Sequence, residues 1–476
     1  MLKALYPSLR KHLHYIYLLY AVPMVCLAAI LTPPFQNPDE PNHFSRAEQI
    51  SRLDFVPSFV HDKDSVLTKR DSLARDPRIQ YPDIGGFAVD RGIGVLNDVF
   101  SPIAQHKDVK VTAEEIHLSK NVMWGTGDSY VNFANTAIYP PVVYIMPALG
   151  ITIGKLLSLS IVKTLYLSRL LNGAVSIILC FFALLFAKRS SIFLFIVLLF
   201  PMTVAMFASV SQDAILISCS FLLVGIIDHV EFDQQKNYNK AQFYTLIILM
   251  CIIGVAKPPY LLFVLVFLFL KLNTKRKVIS ILVPVIILIS WIVINQPNFA
   301  IKFAPVDLKV NTRLQVLHII HHPLKFISLF FDFDKQGMVD FSKEFVGALG
   351  WLDLIFSWIY YRNAYIILVV GLLLSFKLGE AKHILLRASL LFCSFITLAC
   401  VLTAQYVTWT SLESTSLDGM QGRYALPIFP FLALAISGSG KREKMIFIRT
   451  LLLILVLAFP VYSGVVLYKG LIHRYY

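Results

Sequence analysis

The segment Asn37-Pro38-Asp39-Glu40-Pro41-Asn42-His43-Phe44 sets two carboxylates and an imidazole, with Arg46 close behind, directly after the first apolar run of the chain. A carboxylate held where a membrane helix meets water can take the proton of a hydroxyl, provided that cations nearby stabilise whatever anion departs. Cations at comparable boundaries are Arg169, Lys257 in Lys257-Pro258-Pro259-Tyr260, and Arg423 in Gln421-Gly422-Arg423-Tyr424. Arginine suits a phosphate because its planar fork can grip two oxygens. Each residue also has a plainer role. Acids favour helix starts, so Asp39 and Glu40 could simply cap, as could Asp213. Arg169, Lys257 and Arg423 could snorkel to headgroups. Asp332, Asp334 and Asp340 read as a solvated face.

The elements that must position these residues are membrane helices. The 476-residue chain is 57% hydrophobic and 15% charged with a mean hydropathy of +0.68, more apolar surface than a soluble domain can hide. Apolar stretches approach the ~20 residues that cross a bilayer, and they lack the period-two alternation of barrel strands. The expected fold is therefore an all-α polytopic membrane protein, one integral membrane domain over residues 1–476 with about eleven spans. These are 14–32, 166–187, 190–210, 213–229, 241–256, 258–271, 277–295, 363–377, 383–404, 423–438 and 446–468. The first, flanked by Lys3, Arg10 and Lys11 and ending in Thr32-Pro33-Pro34 without a small-x-small site, reads as an uncleaved signal anchor.

With the amino terminus in the cytoplasm, the short basic loops fall on one side, as the positive-inside rule requires. They are Lys188-Arg189, Lys236 to Lys240, Lys271 to Lys277, Lys377 to Arg387 and Lys441 to Lys444. Two long extracytoplasmic loops result, 33–165 and 296–362, with a third segment at 405–422. Making 139–160 a span would invert those basic loops, so it is expected as an interfacial helix. Residues 33–138 carry 15 of the 29 acidic residues against 11 Lys+Arg, a net of −4, leaving +18 elsewhere. The overall +14 thus follows topology and is no sign of a nucleic-acid partner. All six cysteines (Cys26, Cys180, Cys219, Cys251, Cys393, Cys400) lie in apolar runs and read as small hydrophobes, with neither a disulfide framework nor metal-ligand spacing.

In the first loop, Asn37 is expected to cap a helix that begins at Pro38 and has Glu40 as its third residue. Phe44, Ala47, Ile50 and Leu53 then form an apolar stripe suited to lying along a membrane. Asp39, His43 and Arg46, at i, i+4 and i+7, share the other face. Residues 57–130 mix charge, Gly and Pro and are expected to form a partly irregular lobe.

Taken in order along the chain, Pro33-Pro34-Phe35 through Asp39-Glu40-x-x-His43-Phe44-x-Arg46, Tyr139-Pro140-Pro141, Leu149-Gly150, Arg169-Leu170-Leu171-Asn172, Pro201 to Asp213, Lys257-Pro258-Pro259-Tyr260, Gly350-Trp351-Leu352-Asp353 and Gln421-Gly422-Arg423-Tyr424 carry a resemblance. The chain resembles the GT-C superfamily of multi-span glycosyltransferases, most closely a bacterial branch of predicted membrane proteins. The Asp-Glu-x-x-His-Phe string is also similar to the first-loop motif of protein O-mannosyltransferases, whose aspartate is the proposed base.

The resemblance implies an inverting transfer of a monosaccharide from a polyprenyl-phosphate donor. The acceptor would be an extracytoplasmic surface glycan such as O-antigen or another cell-envelope polysaccharide. It implies a bacterial cytoplasmic membrane with the active site facing outward, and a separate synthase and flippase that supply the donor. Asp39 is then the first choice of base and Glu40 the second, with His43 and Arg46 positioning the acid or the substrate. Arg169, Lys257 and Arg423, with Tyr139, Tyr260 and Tyr424 beside them, would hold the donor. No cofactor is expected and no divalent metal is required. A flippase or transporter for lipid-linked glycans is the rival class, but internal repeats and midplane charges are missing from the sequence. A polysaccharide polymerase or ligase is the nearer rival, at which His318, His321 and His322 hint.

Overall fold

The computed structural model describes residues 2–61, 85–232, 237–299, 301, 309–330, 335–376, 383–417, 419–438 and 446–476. Asp332 and Asp334 of the expected acidic face, and Lys236, Lys377, Lys441 and Lys444 of the expected basic loops, lie outside them.

Seven described helices are long and apolar enough to cross a membrane: Leu13–Leu31, Ile161–Phe186, Gln212–Glu231, Thr274–Ile294, Trp358–Ser375, Ile384–Trp409 and Ile446–Tyr475. The expected spans at 241–256 and 258–271 are a 17-residue α-helix, Lys240–Ala256, and a 12-residue 3-10 helix, Pro258–Phe269. Two other expected spans are interrupted. The stretch 190–210 forms Ser191–Leu198 and Pro201–Phe207, because Phe200 is extended and Pro201 has no N–H to continue the ladder. The stretch 423–438 forms a 3-10 turn, Gly422–Ala425, and a helix, Phe429–Ile436.

Residues 189–228 are buried throughout and make the centre of the bundle. A helix apolar on every side belongs there, and close approach secures it. A Cβ on Gly225 would stand 2.5 Å from the Ala183 carbonyl oxygen of Ile161–Phe186, so only glycine lets these two helices meet so closely. At one end of the bundle, Lys188, Arg189 and Ser190 donate their backbone N–H groups to the Asp228 carboxylate and close the turn between helices.

The other end carries the long loops, and here the all-α expectation needs correction. Val60–His61, Gly85–Asp90 and Asp128–Val131 form a small antiparallel sheet in that order. Ala348–Leu349 pairs with Leu354–Ile355 in a hairpin whose tip is Gly350-Trp351-Leu352-Asp353. Trp351 donates its indole N–H to the Phe35 carbonyl at 3.2 Å, which ties the hairpin to the first loop. The last helix runs to Tyr475, past the expected end at 468, and Arg474 grips Asp353 at 2.6 and 3.0 Å while donating to the Ile103 and Val109 carbonyls.

The 139–160 segment is a short 3-10 turn, Pro141–Tyr144, followed by a 12-residue helix, Ile145–Leu156. At ~1.5 Å per residue that helix covers about 18 Å, too little to cross a bilayer. It packs on Glu40–Ser51 and Ile161–Phe186. The stripe Phe44, Ala47 and Ile50 is buried inside the protein, with Phe44 against Phe35 and Trp124, and only Leu53 is exposed. The expectation that this stripe lies along the membrane is therefore replaced by internal packing.

Candidate functional site

The first long helix stops at Leu31, where Thr32 turns extended ahead of two prolines. The next helix starts later than the sequence suggests, at Glu40, with Asp39 as its N-cap residue in the left-handed region at φ 57°. Aspartate tolerates that conformation better than most residues. Its side chain makes no capping hydrogen bond, and Asn37 does not cap either, donating instead to the Glu40 carboxylate at 3.3 Å. The Asp39 side chain is 39% exposed and turned toward a cavity of about 550 Å³.

Arg423 comes to the same cavity from the far end of the sequence. Its terminal nitrogen is 3.5 Å from Asp39 Oδ2, and its Nε is 4.0 Å from Asp213 Oδ2. The preceding Gly422 is required, since a Cβ there would collide with the backbone of Phe341 and Phe345. Its N–H donates to Glu344 at 2.8 Å, which fixes the turn that presents Arg423. Lys257 stands where Lys240–Ala256 ends and Pro258-Pro259 begin the 3-10 helix. Its ammonium is 2.9 Å from Asp213 Oδ1 and lies 4.4 Å from the centre of the Tyr424 ring, a cation–π distance. Tyr260 donates to the Tyr424 carbonyl at 2.7 Å, and Gln405 donates to the Tyr424 hydroxyl at 3.1 Å.

The result is a chain of alternating charge: Asp39, Arg423, Asp213 and Lys257. In this arrangement one carboxylate is accessible and the other is committed to the cations. Asp213 was expected to cap its helix, but Ser211 does that, accepting from the Asp213 N–H at 3.1 Å. The Asp213 carboxylate faces the cavity and also accepts from Gln212 at 2.7 Å.

Of the residues expected at the site, Asp39, His43, Tyr139, Lys257, Tyr260, Arg423 and Tyr424 line this cavity. Glu40, Arg46 and Arg169 do not, and for these three the expected substrate contact gives way to a structural one. Glu40 and Arg169 are fully buried and bonded to each other at 2.5 and 2.8 Å. Arg169 also donates to the carbonyls of Ala29, Thr32 and Pro33, and Glu40 accepts from the Val210 N–H at 3.0 Å. Asn172 completes the joint by donating to the Ser209 and Ser211 carbonyls. The pair clamps the end of the first helix and the start of the Asp39 helix to the turn that carries Asp213.

Arg46 is buried too and donates to the Gln49 side-chain oxygen and to the carbonyls of Asp54, Phe55 and Tyr139; burial brings its guanidinium down to about 10. Its effect on the cavity passes through Tyr139. The His43 ring stacks on Tyr139 with centroids 6.2 Å apart, and its Nδ1 is 2.6 Å from the Tyr144 hydroxyl. Burial holds the imidazole down at about 4, so it is neutral near pH 7. His318, His321 and His322 are not part of the cavity lining.

The reading from sequence missed Gln212, Asp213, Gln405, Gln421, Asn135, Trp351 and Trp409, which all line the cavity. Four of them, Gln212, Asp213, Trp351 and Gln421, sit inside quoted motifs, so position relative to Asp39 was the absent signal. Asn135 donates to Asp39 at 3.5 Å and accepts from Asn42 at 3.0 Å. Among the described residues no group of three His, Cys, Asp or Glu side chains is placed to hold a metal ion.

Compared with known families, residues 24–432 match a family described as "Predicted membrane protein (DUF2142)". No curated protein and no solved structure matches the chain.

Proposed function

Since this chain belongs to the DUF2142 family of predicted membrane proteins, we propose that it is a multi-pass GT-C-type glycosyltransferase of the bacterial cytoplasmic membrane. In this reading it crosses the bilayer about eleven times and moves a monosaccharide from a polyprenyl-phosphate donor to a surface-glycan acceptor, with inversion. The observation that carries the reading is the cavity in which the partly exposed Asp39 carboxylate meets the buried Arg423, with the part-buried Lys257 beside it on Asp213, all from distant parts of the sequence. A scaffold gains nothing from assembling such charges away from water, whereas a transfer from a lipid phosphate needs both signs close together.

Orientation rests on charge. The cavity end of the bundle is the end with the long loops. The opposite end carries Lys188, Arg189, Lys271, Lys275, Arg276 and Lys277, and this basic charge supports reading that end as the cytoplasmic one under the positive-inside rule.

Asp39 accepts the proton of an acceptor hydroxyl as that oxygen attacks the anomeric carbon from the face opposite the phosphate. The bond from the anomeric carbon to the phosphate oxygen breaks, and its electron pair stays on the phosphate. The donor diester carries one negative charge and the departing monoester two, so Arg423 and Lys257 act where charge grows. His43 is neutral and positions Tyr139 and the start of the Asp39 helix. The Asp39 proton can return to water, since its side chain is 39% exposed.

The test is Asp39→Asn, a near-isosteric change at a side chain whose contacts are long. Its thermal stability should match wild type, and sugar transfer from polyprenyl-phosphate donors should fall by about 10²-fold or more, the range of general-base removal. Wild-type rates in a well-folded Asp39→Asn protein would remove Asp39 from the chemistry.

A further inference from the structure

Two short helices outside the cavity, Thr312–His321 and Pro323–Ser328, lie against the end of the membrane-length helix Ile384–Trp409. On their inner side Gln315 is buried, donating to the Ser411 carbonyl at 3.4 Å and accepting from the Glu413 N–H at 3.0 Å. The Phe326 ring meets that of Tyr406 with centroids 5.3 Å apart. The outer side is apolar as well: Val316, Leu317, Ile320, Leu324 and Ile327 are between 40% and 81% exposed. A helix that packs on protein by one face and meets water by the other turns polar residues outward, so these helices are covered by something other than water.

Depth decides what covers them. With Ile384 at the opposite boundary, Ile384–Trp409 rises about 33 Å by Tyr406 at ~1.5 Å per residue, against ~30 Å of hydrocarbon core. Phe326 then stands where hydrocarbon gives way to headgroups. Phe395 precedes Tyr406 by about three helical turns, nearly in line with it, and is 66% exposed, so apolar surface continues along the helix up to the arm.

Charge decides which lipid. Residues 309–330 contain Lys309, Arg313, Lys325 and three histidines but no Asp or Glu, and Arg313, His321, His322 and Lys325 are exposed. Basic residues set among exposed apolar ones suit an interfacial segment that meets anionic headgroups. Two copies of this face would set like charges together, which disfavours self-pairing.

We propose that Thr312–Ser328 is a membrane-docking arm. Its apolar face sits in the leaflet on the cavity side, and Arg313 and Lys325 engage the phosphates of anionic phospholipids. This goes beyond the glycosyl-transfer reading and does not depend on it. Through Gln315 the docked arm holds Ser411 and Glu413, from which the chain leads toward Gly419 and Gln421 in the cavity wall.

The test uses the full-length protein, free of its six native cysteines, at one copy per nanodisc. A bimane label is placed at Ile320→Cys or Leu324→Cys, with Glu114→Cys on the exposed side of Ala113–Lys120 as the water-side reference. In discs of phosphatidylcholine and phosphatidylglycerol, brominated acyl chains should quench both arm labels, and aqueous iodide should quench them less than the reference. Omitting phosphatidylglycerol should weaken the lipid quenching, and Arg313→Gln with Lys325→Gln should abolish that dependence, each charge accounting for about fivefold in the docked-to-undocked ratio. Arm labels reached by iodide as readily as the reference would place the arm in water and overturn the proposal. Shielding from both quenchers, at one copy or two per disc, would mean that protein covers the face, which overturns it too. Lipid quenching indifferent to phosphatidylglycerol would refute the assignment to anionic lipid.

Discussion

His43 shows how burial decides what a residue type can do. An imidazole beside two carboxylates invites an acid–base role, yet desolvation outweighs the attraction of Asp39 and Asp213 and holds it at about 4. The consequence is a stability effect. Between pH 6.5 and 4 the unfolded chain binds a proton that the folded chain refuses, so the contribution of neutral His43 is complete above about 6.5 and is lost as pH falls toward 4. The span corresponds to on the order of 3 kcal/mol. Melting temperatures at pH 7.5 and 4.5 should therefore fall further in wild type than in His43→Gln, which has nothing to protonate; parallel curves would contradict a neutral buried His43. Asp39 is the opposite case, a carboxylate adjoining a helix start that its own geometry releases from capping. The sequence supplied both residue types and their spacing. It did not supply the left-handed turn that separates Asp39 from Glu40, which sends one carboxylate to the cavity and its neighbour into the core.

Among the elements, the decisive one is the joint built by Glu40 and Arg169. Because the pair is fully buried, removing one partner leaves the other as an unpaired charge, which costs about 3–5 kcal/mol. Glu40→Gln should accordingly lower the melting temperature in detergent sharply and reduce folded yield, in contrast to Asp39→Asn at the very next position. Equal melting of the two variants would mean that the clamp carries little load. The sequence marks both members as charges near the ends of apolar runs, a pattern equally consistent with phosphate binding or snorkelling. Only their mutual contact, 129 residues apart, distinguishes these roles. The broken helix pair Ser191–Leu198 and Pro201–Phe207 is a different case: the apolar run of span length was legible, and so was Pro201, the local cause of the break at Phe200-Pro201.

For the molecule as a whole, the proposed orientation can be checked with single cysteines in a background lacking the native six. Leu53→Cys, at an exposed position two residues beyond the end of the Asp39 helix, should react with a membrane-impermeant maleimide on intact cells. Lys275→Cys, at the opposite end, should react only after permeabilisation, and the reverse pattern would place the cavity in the cytoplasm. The sequence by itself determined that this is a helical membrane protein, roughly where its apolar segments run, and which motifs stand at their boundaries. Those properties follow from local composition and from charge counted loop by loop. The tertiary structure decided which boundary charges meet. Asp39, Asp213, Lys257 and Arg423 share a cavity, while Glu40, Arg46 and Arg169 are used up in holding it together. Contacts between residues hundreds of positions apart are set by how helices pack, and no local pattern encodes that distance.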